Sequence, residues 1–188
     1  MEPGSAYKTK RSVKAIHWLV VVALLSNCFL PTAYSQAQQP PGQLVKVVYD
    51  QQKDVTQVTL NPFILVSRKR EELRLGAITA YQGKVKTKPK EVALIFMSIT
   101  TEDVNKYETA RKLVASVDGE RLVFGPAQRS KQAQNGLFLE SLMIAVPTDD
   151  FLRICRAKAV TLKLGFTEVE LSTAQITVLR AAASYMTE

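Results

Sequence analysis

Glu168 and Glu170 in TEVELS, and Ser130-Lys131 in GPAQRSKQAQNG, are the residues of this sequence whose types and spacing come nearest to catalytic chemistry. A carboxylate pair can supply the acid and base of glycoside hydrolysis, and a lysine beside a serine can activate a nucleophile. Their settings point elsewhere. Glu168 and Glu170 alternate with Val169 and Leu171, the pattern of a strand with one solvated face and one buried face. Ser130 and Lys131 are sequence neighbours whose side chains diverge, without the S-x-x-K spacing of a Ser-Lys nucleophile. Asp149 and Asp150 suit the first turn of a helix, where the dipole favours negative charge, better than a metal. TEDVNKYE, Thr101 to Glu108, lacks the spacing and glycine of a calcium loop and reads as a plain loop.

Histidine and cysteine set firmer bounds, and both depend on the N-terminal segment. Lys8, Lys10, Arg11 and Lys14 precede AIHWLVVVALL, Ala15 to Leu25, an apolar run too short to cross a hydrocarbon core as a helix. Pro31 and the small pairs Ala33/Ser35 or Ser35/Ala37 follow at the spacing signal peptidase reads. Residues 1–35 are therefore expected to be a signal peptide, cut after Ser35 or Ala37. Two alternatives stand beside it. LSNC resembles a lipobox that would acylate Cys28, although Asn27 stands where a small residue belongs. An uncleaved span from Ala15 to Tyr34 would place Ser, Asn, Thr and Pro in lipid. Residues 36–43, QAQQPPGQ, read as a short disordered tether.

The only histidine, His17, leaves with that segment. The remaining chain then has no Ser-His-Asp or Cys-His machinery and no His-ligated zinc. Cys155 is the one cysteine left, so no intrachain disulfide can form, and its place on the apolar stripe of a short helix makes it a small core residue.

With 188 residues, 46% of them hydrophobic and 22% charged, the chain suits one globular domain with an appendage. The net charge of +8 includes the basic N-terminal run, and without residues 1–35 the chain keeps 21 basic against 16 acidic residues. That excess gives some attraction for anionic polymers or lipid headgroups without specifying nucleic acid.

From Leu44 onward, short runs rich in Val, Ile, Leu, Thr and Phe alternate with polar turns, the signature of an antiparallel β protein. Strands are expected over 44–50, 55–66 (bent at Pro62), 73–81, 91–99, 112–117, 120–125, 137–146, 159–165 and 167–172, with Asp118-Gly119 as a tight hairpin turn. Leu73, Leu75, Ala77 and Thr79 fall on one face opposite Arg74. VALIFMSI, Val92 to Ile99, is apolar on both faces, which suits a strand covered on both sides. In PTDDFLRICRAK, Thr148 or Asp149 can cap a helix of about two turns. In STAQITVLRAAASYM, Ser172 and Gln175 form a capping box, with Ile176, Leu179 and Ala183 at helical spacing. Both helices are amphipathic lids. The fold class expected is mainly β: residues 44–188 form a single antiparallel β-sandwich domain with two short helices in its C-terminal half.

Three stretches are candidate contact surfaces. SRKREELR and GKVKTKPKE flank the same strand, one at each end, and the second offers Lys84, Lys86, Lys88 and Lys90 as anion contacts. Solvated hairpin tips that protect edge strands are the plainer explanation of both. Their scarcity of aromatics disfavours single-stranded nucleic acid. The polar stretch from Gly125 to Gly136 reads as a long recognition or connecting loop. No cofactor motif is apparent.

The residues DGERLVFG, Asp118 to Gly125, and FLRICRAKAVTLKLGFTEVELSTAQITVLRAAAS, Phe151 to Ser184, with the turn YQGK at Tyr81 to Lys84, resemble a family of uncharacterised exported bacterial proteins. The resemblance spans roughly Leu44 to Tyr185 and implies fold and export, with no site. More remotely, the sandwich-plus-helix plan looks like the periplasmic invasion-associated locus B proteins, an analogy of fold. The expected function is that of an exported, non-enzymatic envelope protein, periplasmic or secreted, or lipid-anchored if Cys28 is acylated. It would bind another protein, an anionic polymer or lipid headgroups. The alternative is a small hydrolase with a histidine-free Ser-Lys or carboxylate mechanism, which predicts a perturbed carboxylate or lysine in a cleft.

Overall fold

A computed structural model describes residues 41–186, so the expected signal peptide, His17 and Cys28 lie outside the described residues. Ten strands form two antiparallel sheets. One has six strands, in the order β1 (Val45–Asp50), β2 (Val55–Arg68), β3 (Glu71–Gln82), β4 (Glu91–Thr100), β8 (Leu137–Pro147) and β7 (Gln128–Gln134). The other has four, in the order β10 (Thr167–Glu170), β9 (Val160–Leu164), β5 (Lys112–Val117) and β6 (Glu120–Pro126). Helix α1 (Thr148–Arg156) links β8 to β9, and α2 (Thr173–Ala183) follows β10. Pro41–Leu44 form one 3-10 turn against α2.

Alternation explains which face is buried. Leu73, Leu75, Ala77 and Thr79 of β3 all point inward, as their spacing predicts. Val92, Leu94 and Phe96 of β4 and Leu142, Ile144 and Val146 of β8 continue that face. Opposite them, Leu113 and Ala115 of β5 and Val160, Leu162 and Leu164 of β9 complete one apolar core with the buried residues of both helices. Helix α1 packs on β4, β5 and β8, while α2 packs on β2 and α1. The outward positions of β4, Ala93, Ile95 and Ile99, are only half-buried. The double-sided apolarity of VALIFMSI therefore marks a sheet whose second face has no cover among the described residues.

Local chemistry fixes the bends. At Pro62 the register of β2 against β3 shifts between Leu60 and Phe63, a bulge where proline interrupts the ladder. Gly76 lies under it: a Cβ there would sit 3.0 Å from the Leu60 carbonyl oxygen and 3.3 Å from Pro62 Cγ. Helix α2 holds a second irregularity of β2, where the register shifts again between Ile64 and Val66: Gln175 Nε2 donates to the carbonyls of Ile64 (2.9 Å) and Leu65 (3.0 Å) while closing the expected capping box with Ser172. Arg180 of α2 caps the end of α1, donating to Cys155 O (2.6 Å) and Ala157 O (2.9 Å). The start of α1 differs from expectation. Pro147 is the N-cap, and among the described residues no side chain caps the helix and the Thr148 hydroxyl, inside it, is buried without a partner.

The stretch from Gly125 to Gly136 is a second correction. It forms the end of β6, a corner at buried Ala127 where the chain passes from one sheet to the other, and β7, rather than a long loop. Edge strand β7 pairs with β8 from Gln128↔Met143 to Gln134↔Leu137, and Asn135-Gly136 closes the hairpin with φ of 52° and 74°. Asn tolerates the left-handed region and Gly favours it, so this dipeptide matches the twist of a two-residue hairpin. Asp118-Gly119 forms the expected turn, with φ of 49° and 89°.

Candidate functional site

Chemistry-bearing side chains converge at one end of the inner face. Glu71 shares its face with Leu73 and Leu75, and Glu140 shares its face with Leu142 and Ile144, so alternation carries both carboxylates inward. Register places Glu71 beside Thr100, and Ser98 beside both Leu73 and Glu140. The 101–111 connection, crossing from β4 to β5, then folds over this end and inserts Tyr107, which is fully buried.

Glu71 is the hub. Its Oε1 accepts from Ser98 Oγ (2.8 Å) and Tyr107 OH (3.2 Å), and its Oε2 accepts from Lys106 Nζ (2.6 Å). Burial alone would push its carboxyl up, but the Lys106 and Ser98 hydrogen bonds, the Lys106 charge and the Tyr107 hydroxyl together hold it below the ordinary carboxylate range. An ionised Glu71 accepts the hydrogen bond of the Tyr107 hydroxyl, so the Thr167 hydroxyl is the donor in its 2.9 Å contact with Tyr107. Burial pushes the Tyr107 phenol well above its usual value.

Glu140 is more enclosed. Its side chain is 3% exposed, Oε1 accepts from Arg129 Nε at 2.6 Å, and Oε2 is buried without a partner among the described residues. Arg129 also donates to Asn105 Oδ1 (2.9 Å), as does Lys131 Nζ (2.8 Å), which pairs with Asp103. Arg70 pairs with Glu102 at 3.1 Å. The acidic connection is thus pinned by basic residues of β7 and of the β2–β3 turn.

This cluster brings a serine hydroxyl to a carboxylate at hydrogen-bond distance, the contact from which a nucleophile and base could be built. Ser98 is 1% exposed, however, and a carboxylate held low by an ammonium is a weak base. Two surface depressions, of about 300 Å³ beside Arg153 and Glu120 and about 280 Å³ beside Arg111 and Lys163, are lined by other residues. Its evident work is to lock the connection onto both sheets.

The residues singled out from sequence lie elsewhere. Glu168 and Glu170 are exposed on the outer face of the small sheet, where Glu168 meets Lys163 at 3.7 Å. Ser130 and Lys131 point to opposite faces of β7. Cys155 is 1% exposed, and burial pushes its thiol up to about 12. Lys84, Lys86, Lys88 and Lys90 are all exposed at the opposite end of β3. Lys84 lies 4.8 Å from the Tyr49 ring centroid; Lys86 donates to Ser184 O (3.3 Å) and lies 5.4 Å from the Tyr185 ring. Lys88 pairs with Asp149, and the Lys90 carbonyl accepts from Thr148 N at 3.2 Å. The segment thus fastens the start of α1 and the end of α2 to the sheet.

Among the described residues no group of three or more His, Cys, Asp or Glu side chains could hold a metal, and no helix is long and apolar enough to cross a membrane. Compared with protein-family models, curated proteins and solved structures, the chain matches none.

Proposed function

We propose that this chain is an exported, non-enzymatic module that acts by binding another protein, with the outer face of the six-stranded sheet as its working surface. The carrying observation is the pairing of half-buried apolar residues on that face, Ile95 beside Met143 and Ile99 beside Leu139, outside the core cluster. A soluble domain leaves a wide apolar sheet face open when a partner covers it. The inward carboxylates support the same reading from the other side, since Glu71 is engaged by Ser98, Lys106 and Tyr107, and Glu140 by Arg129 through Oε1. Export rests on the short apolar run and small-residue spacing ahead of Gln36.

In-cell crosslinking of the tagged full chain in intact envelopes, followed by mass measurement, tests the reading. A mature start at Gln36 or Gln38 with protein adducts at Ile95 and none at Lys163 is expected. An unprocessed chain in the cytoplasm, or adducts equally frequent at both positions, overturns it.

A further inference from the structure

The occupant of the outer face follows from its charge and its size. Its central strands present Ile78 of β3, Ala93, Ile95, Met97 and Ile99 of β4, and Leu139, Met143 and Ala145 of β8, with Ser141 the one neutral polar residue among those of β8. Met97 is 6% exposed yet stands outside the core cluster. Neutral polar residues rim the band, Gln57 and Thr59 on β2 and Gln128, Ser130 and Gln132 on β7. An apolar centre with a polar rim and adaptable methionines is the anatomy of a protein interface.

Charge narrows the choice of partner. On β3, β4 and β8 the outward charged residues are Glu72, Arg74 and the terminal Glu91, and Glu72 is bonded to Arg74 at 2.5 Å. β1 adds only Lys46 and Asp50. A chain with a net charge of +8 therefore carries its basic excess elsewhere and keeps this face close to neutral. An anionic polymer or headgroup finds no positive field here, whereas a second neutral apolar face meets it without like-charge repulsion. Strand spacing and rise give six strands of about ten residues a footprint of about 24 by 33 Å, or about 800 Å². That is about the area each partner contributes to a stable standard-size interface. The small sheet does not offer the same: its outward positions include Lys112, Lys163, Arg121, Glu168 and Glu170.

We infer that two copies of this chain pack outer face to outer face through their six-stranded sheets, forming a two-fold dimer centred on Ile95 and Met143. The inference rests on the interaction-module reading and names its partner. In a two-fold arrangement each patch meets itself, so one neutral, apolar surface suffices.

Sedimentation equilibrium of the protein produced from the full chain, across about 1 to 100 μM, tests this directly. Wild type is expected to reach the dimer mass within that range. Ile95→Lys and Met143→Lys, both at half-buried outward positions, are expected to weaken association at least about tenfold while keeping a cooperative melt. If either variant fails to fold, wild-type methionine-methyl NMR decides instead: dimerisation here shifts Met97 and Met143 with concentration and leaves core Met186 in place. A monomer at the highest concentration overturns the inference, as does a dimer that survives both substitutions or one in which Met97 and Met143 do not respond. A monomer that still forms foreign adducts at Ile95 in cells overturns self-association while leaving the interaction module standing.

Discussion

At one end of the six-stranded sheet, Glu71, with 10% of its side chain exposed, takes hydrogen bonds from Ser98, Lys106 and Tyr107 under the 101–111 connection. At the other end, four lysines spaced two apart stand in solvent, and Lys84, Lys86 and Lys88 meet Tyr49, Tyr185, Ser184 and Asp149 at the surface. Both ends join elements distant in sequence by charge, yet water separates their energetics. Where it is excluded, an unpaired charge costs several kcal/mol, on the order of 3–5, so every group depends on its neighbour. Where it is present, a lost partner is replaced by solvent.

Removing Arg129 should break the buried end most severely. Arg129→Met leaves Glu140 enclosed without its counter-charge, and a loss of about 3–5 kcal/mol is expected from the urea midpoint at unchanged slope. The double variant Arg129→Met/Glu140→Leu should recover most of that loss, since it removes the stranded charge as well. Single and double variants of equal stability would show that water already reaches Glu140.

A smaller effect belongs to Tyr107→Phe, which keeps the ring and removes one hydroxyl. Thr167 loses its acceptor and Glu71 one of its donors, at a cost of about 1–2 kcal/mol by thermal or urea unfolding. A neutral result would mean that the ring alone, packed at full burial, anchors the connection.

Acid separates the ends by sign. Glu71 has a folded value below its unfolded one, so its contribution is fully present above about pH 4.3 and is lost as pH falls through the depressed folded value. Glu71→Gln should flatten that part of the acid limb of the stability curve. Neutral replacement of the four lysines by Gln should leave the limb's shape unchanged. Alkali tests the core in the same way. The Cys155 thiol, raised by burial to about 12, makes stability fall with rising pH once the unfolded thiol ionises near 8.5, and Cys155→Ala should remove that slope.

What the sequence disclosed and withheld follows the same divide. Strands such as β3 and β8 announce themselves because apolar side chains recur every second residue and the buried face selects them. Strand β7 was hidden: QRSKQAQ has one apolar residue, because its register is held by backbone pairing and by Arg129 and Lys131 reaching inward. The signal that could have found it was Asn135-Gly136 just ahead of an apolar run. Glu71 and Glu140 were readable as inward carboxylates from their parity with the leucines around them. Their partners were not, because Tyr107 and Lys106 arrive on a connection with no periodicity. The strand order, with β7 and β8 beside β4, depends on pairings far apart in sequence that no local pattern encodes.

The lysine end carries the smallest expected effect on stability and the clearest separation of stability from binding. Lys88→Ala exposes Asp149 to water it already meets, at about 0.5 kcal/mol or less. Lys86→Ala removes one exposed donor from the last turn of α2 and should cost a similar amount. Lys90 has no side-chain partner among the described residues, so its charge is fully available to an outside anion. If these lysines also hold the protein to an anionic envelope component, reversing Lys84, Lys86, Lys88 and Lys90 to Glu should lower retention in isolated envelopes at low salt. The difference should fade within the range where the Debye length falls below about 8 Å. Retention that ignores both charge and salt would restrict the four lysines to fastening α1 and α2, and would leave the apolar sheet face as the surface through which the module acts.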